Sequence, residues 1–199
     1  FWKRPRVDLK CLAEHAEGLV VLSGCSSGAL ADELLHGDAA SAIARAEELQ
    51  GLFGEDFYGE VMPHNMEMQR TTNRGIRMLC DALDIQPVAT QDAHYIEPGD
   101  WKYQEAMLCI HTKTVLSAPD RFHFETRDFW LKGRKDIAES FRAAHGHLPT
   151  EWTKRAMDNT LVVAEKCQAK LDVDRFRALV PDIDIPAKYK GDPNRFFRD

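Results

Sequence analysis

Apolar positions along this chain follow two spacings. Three short stretches are apolar with little or no interruption: Leu19–Leu22, Phe57–Met62 and Pro87–Thr90. Runs of this length suit strands buried in a parallel sheet, and the aromatic and β-branched residues in them favour extended backbone. Between them the apolar residues recur every three or four positions, the period of an amphipathic helix. Asp8 is placed to cap a first helix with Leu9, Leu12 and Ala16 on one face and Gly18 as its stop. After the first strand comes the turn Gly24-Cys25-Ser26-Ser27-Gly28, then a short helix to about Leu35 that halts near Gly37. Asp38 caps the next helix, through Leu52, which Gly54 ends. A long helix is expected from about Met66 to Leu83, with Asn65 capping it and Met68, Ile76, Leu79 and Leu83 turned inward. The strand Pro87–Thr90 then runs into Gln91-Asp92-Ala93-His94-Tyr95.

Helix, strand, helices, strand, helix, strand is the order of an α/β fold with a parallel sheet or barrel. After Tyr95 the pattern changes. A helix is expected over Pro98–His111, a strand at Phe129-Trp130-Leu131, and two helices near Asp136–Ala144 and Thr150–Gln168. Residues 171–199 contain Pro181, Pro186 and Pro193 without clear periodicity and read as an extended linker.

Composition narrows this picture. The 199 residues are 44% hydrophobic and 29% charged, which is enough for a packed core and far from a disordered composition. The formal charge of -6 argues against a surface that wraps nucleic acid by charge alone, but it is compatible with a site that holds cations. The five cysteines are scattered and form no CxxC pair, which fits a reducing cytoplasm better than a disulfide framework. No apolar run is long enough to span a membrane, and the opening Phe1-Trp2-Lys3-Arg4-Pro5 has neither an initiator Met nor an apolar leader core. The chain is expected to be an internal piece of a longer protein, cut at both ends.

The chemistry-bearing residues share one setting. Cys25 follows the first strand, His64 the second, and Asp92 and His94 the third. In parallel α/β folds functional groups gather where strands end. Residues two apart in extended chain point the same way, so Asp92 and His94 would face one cavity. Thiolate, imidazole and carboxylate together favour zinc, with magnesium or manganese as alternatives. Each residue also has an ordinary explanation: Asp92 as a loop cap, Cys25 as a small buried residue, His64 as a neighbour of a helix cap. Three ligands are too few for a two-metal hydrolytic centre. His145-Gly146-His147 offers a second, thinner metal pair, and the remaining histidines read as surface residues. A competing pattern is Gly24-Cys25-Ser26-Ser27-Gly28, which fits a nucleophile elbow with Ser26 as nucleophile and Asp92 orienting a later His111. Too few strands are expected to frame such an elbow.

Ordered blocks of the chain resemble the alpha-subunit family of bacterial DNA polymerase III. The blocks are Glu17–Cys25, Gly54–Glu60, Pro87–Tyr95, Arg121–Phe124 with Phe129–Lys132, and Asn159-Thr160 with Ala164–Cys167. The resemblance departs at Gln91, where the family carries Asn, and at Gly59, where it carries a large apolar residue. The segment after His111 is short, and His145–His147 reads as a small insertion.

The resemblance implies a partial PHP-type distorted (β/α)7 barrel with a C-terminal helical and extended extension. Residues 1–115 would be the C-terminal half of the PHP barrel, 116–170 a connecting α/β segment, and 171–199 a linker toward the palm. It implies divalent metal ions held by Cys25, Asp92 and His94, with the remaining ligands upstream of Phe1; His64 would line the site by its strand-end position alone. The catalytic aspartates of polymerisation would lie beyond Asp199. The partners implied are DNA and other replisome subunits, through the full-length parent, in the cytoplasm. Three functions follow from it: a polymerase whose PHP domain is a metal-dependent 3′-to-5′ exonuclease, an inactive PHP scaffold docking a separate proofreading exonuclease, and a free-standing PHP phosphoesterase.

Overall fold

The computed structural model describes residues 6–170, 185–189, 192, 196 and 198, and these fall into two compact units divided between Cys167 and Gln168. The first unit is a three-stranded parallel sheet with helices packed against it. Its elements run α1 (Leu9–Glu14), β1 (Val21–Leu22), α2 (Ala29–His36), α3 (Ala39–Phe53), β2 (Phe57–Val61), α4 (Glu67–Leu83), β3 (Gln86–Ala89), α5 (Trp101–Thr112), α6 (Arg134–Ala144) and α7 (Thr150–Lys166). The strand order is β1-β2-β3, and both pairings are parallel. The alternation read from the sequence therefore produces an α/β fold with a small parallel sheet; a closed barrel is not formed by the described residues.

Local chemistry explains most of the element ends. The Asp8 carboxylate accepts from the Cys11 amide at 2.8 Å and the Asp38 carboxylate from the Ser41 amide at 2.8 Å, each starting its helix. Gly54 closes α3 at a φ of +55°, a conformation open to glycine at little cost. β3 carries Pro87, whose ring nitrogen cannot join a ladder, and it occupies a sheet edge. The Pro87 carbonyl is instead taken by the Asn159 side-chain amide at 2.7 Å, which fastens α7 to β3.

Several expectations need correction. The run Leu19–Leu22 pairs only at Val21 and Leu22, and Leu19 is 40% exposed. α4 begins with Met66 rather than Asn65 at its cap, because the Asn65 side chain accepts from the Arg70 guanidinium at 2.7 Å. Met68 faces outward, and α4 buries Gln69, Thr72 and Asn73 in its first turns. Phe129-Trp130-Leu131 does not form a named strand: its one pairing is a bridge from Trp130 to Tyr95. The linker expected over 171–199 lies largely outside the described residues.

The core gathers Phe53, Phe57, Val61, Ile76, Leu79 and Ile85 around β2 and α4, continuous with Phe141, Leu148, Trp152 and Met157 from α6, α7 and the loop joining them. Each such fully buried side chain contributes roughly 2 kcal/mol. Gly59 matters to this packing. Any side chain there would run into the Cys80 thiol and the Ile76 side chain, so glycine at this position leaves the Cys80 thiol its space in the core. Burial pushes the Cys80 thiol up to about 12, so it behaves as an inert packing group. In the second unit, Ala187–Tyr189 forms a single 3-10 turn, with the Tyr189 ring 5.2 Å from that of Phe196. No helix among the described residues is long and apolar enough to cross a membrane.

Candidate metal centre

The carboxyl edge of the sheet is built by three loops, one after each strand. The loop after β3 carries Asp92 and His94. Asp92 has a positive φ of 42°. Among the described residues the other two non-glycine positions with positive φ, Asp84 and Lys113, close helices α4 and α5, where a left-handed residue is the ordinary ending. Asp92 closes no helix, so its strain of about 1 kcal/mol or more is a cost of aiming this turn. The turn brings the Asp92 carboxylate 3.4 Å from the His94 imidazole Nε2. Both side chains remain partly open to solvent.

A segment distant in sequence holds this turn in place. The His94 amide donates to the Phe129 carbonyl at 2.8 Å, and the Leu131 amide to the Tyr95 carbonyl at 2.9 Å. The Gln91 side chain completes the contact, donating to the Lys132 carbonyl at 3.1 Å and accepting from the Lys132 amide at 2.6 Å. The His94 ring packs edge-on to Phe129 and tilted on Phe124. In the same segment the buried Lys132 ammonium pairs with the partly exposed Asp128 carboxylate at 2.8 Å.

His64, after β2, is 1% exposed, and its ring lies 4.3 Å from the Phe129 ring. Its Nε2 is buried without a hydrogen-bond partner. Burial, and next the Lys132 cation, hold this imidazole below its ordinary range, while Asp128 and Asp92 oppose them. His64 is therefore neutral at physiological pH, with a lone buried nitrogen beside the Phe129 wall that also braces His94. A neutral imidazole with an unpaired ring nitrogen is the kind of donor that zinc or manganese takes.

Cys25, in the loop after β1, is exposed, and its sulfur accepts from the Ser27 amide at 3.5 Å. β2 separates β1 from β3, so the two outer loops start about 10 Å apart. Cys25 does not join Asp92 and His94 in one three-ligand cluster, and no group of three His, Cys, Asp or Glu side chains among the described residues is close enough to hold an ion.

Between the outer loops stands a residue that sequence reasoning missed as functional. Glu60 of β2 accepts from the Gly24 amide at 3.0 Å through one carboxylate oxygen and from the Thr90 hydroxyl at 2.5 Å through the other. Its own amide donates to the Ser23 hydroxyl at 2.8 Å. The available signal was an acidic side chain inside an otherwise apolar strand.

The His145–His147 pair is not a metal site of the expected kind. His145 is 1% exposed and both ring nitrogens are engaged: Nδ1 lies 3.2 Å from the Asn73 side-chain amide and Nε2 3.0 Å from the His64 carbonyl. It is a structural histidine that ties the His64 turn to the end of α6. The hydrolase-type alternative also lacks its frame, since the sheet has three strands, and His111 lies exposed on α5.

Asp92, His94, His64 and Cys25 all lie in loops at the strand ends of an α/β sheet, and the chain's similarities bear on that placement. Residues 1–64 match the PHP domain family profile, a stretch that includes Cys25 and ends on His64. The chain is 30% identical over 187 residues to the DNA polymerase III subunit alpha of Thermus aquaticus, an alignment covering 94% of this chain and 15% of that protein. It is 34% identical over 189 residues to the subunit alpha of Treponema pallidum, again 94% of this chain and 15% of the relative. With the subunit alpha of Mycobacterium tuberculosis strain H37Rv it shares 31% identity over 185 residues, 92% of this chain and 15% of the other. The chain thus carries PHP-domain sequence and is related to DNA polymerase III alpha subunits, of whose length it spans about one seventh.

Proposed function

We propose that this chain is part of a DNA polymerase III alpha subunit, a DNA-directed DNA polymerase, and that this part is a divalent-metal-binding PHP domain with 3′-to-5′ exonuclease activity. The observation that carries the reading is an alignment over more than nine-tenths of the chain, running through the sheet and on through α6 and α7. A free-standing phosphoesterase would have no need for that extension. On this reading the sheet is part of a distorted (β/α)7 barrel over residues 1–115, followed by a connecting segment over 116–170 and a linker over 171–199.

Asp92 and His94 are the proposed ligands in the loop after β3, His64 lines the site with its free nitrogen, and Cys25 contributes from the loop after β1. Zinc is favoured by the thiol and imidazoles, with manganese or magnesium as alternatives. When bound, divalent ions supply an activated water and charge stabilisation at the leaving 3′ oxygen. The protein's part is orientation. The Asp92 turn fixes the carboxylate against His94, Phe129 and Phe124 wall off one side of the imidazole, and His64 stays neutral and so able to donate its lone pair. DNA would be the substrate and other replisome subunits the partners, both reached through the whole protein.

The test is digestion of a 5′-labelled single-stranded oligonucleotide by the intact protein with zinc or manganese. Nucleotides should be released from the 3′ end, and Asp92→Ala with His94→Ala should abolish release and lower bound metal. Equal metal content in the double variant and the parent would overturn the ligand assignment. The scaffold reading is favoured by the absence of a three-ligand cluster among the described residues; metal binding without digestion would decide for it.

A further inference from the structure

We propose that Glu60 is a positioning residue that sets the spacing between the Cys25 loop and the Asp92–His94 turn, and through that spacing the cation affinity of the rim. This rests on the metal-site reading above and adds a residue to it. Beyond their backbone ladder, parallel strands have no means of fixing the loops that leave their ends, because each loop departs into its own crossover. Here one carboxylate closes that gap. One oxygen takes the amide of Gly24, the residue immediately before Cys25, and the other takes the hydroxyl of Thr90, two residues before Asp92. The Ser23 hydroxyl accepts from the Glu60 amide, so the loop after β1 is held by both the backbone and the side chain of the same residue. Gly24 has a φ of +87°, so its amide is presented by a conformation that few other residues would adopt.

Both carboxylate oxygens are thus engaged by groups of the protein, and Glu60 acts on the rim through its neighbours. Hydrogen bonds to a charged carboxylate are the stronger kind, and the two are drawn from opposite sides of β2. Losing them would leave the β-strands paired but free the two outer loops to drift independently. Partners that orient metal ligands typically change affinity by about ten- to a hundredfold when removed.

The experiment uses the intact protein and four variants: Glu60→Gln, Glu60→Ala, Thr90→Val and, as a reference, Asp92→Ala. Zinc and manganese affinities are measured by competition with a chromogenic chelator at a temperature where every variant is folded. In parallel, deuterium uptake of the peptide spanning residues 21–28 is followed in the metal-free proteins. Glu60→Ala should weaken cation binding about tenfold or more, Thr90→Val less, and Glu60→Gln in between, since an amide keeps one of the two contacts. Uptake at Gly24 should rise in Glu60→Ala with no metal present, and less in Glu60→Gln, whose amide oxygen can still accept from the Gly24 amide. A purely structural role would lower the melting temperature but leave the affinity of the folded protein and the order of the variants unmoved. If Asp92→Ala weakens binding while Glu60→Ala does not, the positioning role is overturned and the metal site stands. If Asp92→Ala has no effect, the metal-site reading itself fails. Unchanged Gly24 exchange in Glu60→Ala would overturn the positioning role whatever the metal data.

Discussion

Acidification should weaken this fold through one buried imidazole, that of His145. Burial, the first cause, holds it down to about 4 against an ordinary value of 6.5, and the hydrogen bond to the His64 carbonyl only partly opposes this. In the unfolded chain the same ring takes up a proton near pH 6.5. Between those two values the unfolded state binds more protons than the folded one, so stability falls as pH falls. The contribution is complete above pH 6.5, drains through the window, and is lost below about pH 4. At about 1.4 kcal/mol per unit the loss is on the order of 3 kcal/mol, a large part of a small domain's margin. Urea unfolding followed by tryptophan fluorescence at pH 7, 6, 5 and 4.5 reads it directly. Carboxylates also titrate in this range, so the comparison is with His145→Gln, which keeps a donor and an acceptor but does not titrate. The parent should lose about 3 kcal/mol more than the variant across the window. Parallel pH profiles for the two proteins would show that His145 is not the group responsible.

The other expectations concern packing and pairing. Asn73 is fully buried, with its side-chain amide donating to the Met62 carbonyl at 2.7 Å, and Asn73→Ala should cost about 2–4 kcal/mol in urea unfolding. Asp128→Ala leaves the buried Lys132 ammonium only the backbone carbonyl of residue 128 and should cost about 1–3 kcal/mol, largely recovered by a further Lys132→Met change. Gly59→Leu should destabilise by about 1–3 kcal/mol, and adding Cys80→Ala should restore part of the loss if the two positions fill one space.

The sequence made the α/β order and the strand-end position of Asp92, His94 and His64 legible, because continuous apolar runs and helix caps are local signals. What it hid were contacts made over long separations. A histidine beside Gly146 reads as a surface residue until a carbonyl 81 positions upstream is found to accept from its ring. Met68 fits an apolar helical face by period, yet that face is taken by Gln69, Thr72 and Asn73, which satisfy one another and the Met62 backbone. Phe129–Leu131 has strand composition, but its partner is the turn at Tyr95 rather than a strand, so pairing stops after one bridge. Glu60 was passed over because a lone acid in a strand is ordinarily a solvated side chain, and only the register shows two loops reaching for it.

The bridge between Tyr95 and Trp130, with Gln91 clasping Lys132, pins both ends of the intervening segment beside the candidate centre. That segment is consequently a closed excursion, tethered at its base and unconstrained in length by the ligands below it. Its outer part, α5, can change in length while the turn at Asp92 keeps its aim, because Phe124 and Phe129, which pack on the His94 ring, belong to the returning arm.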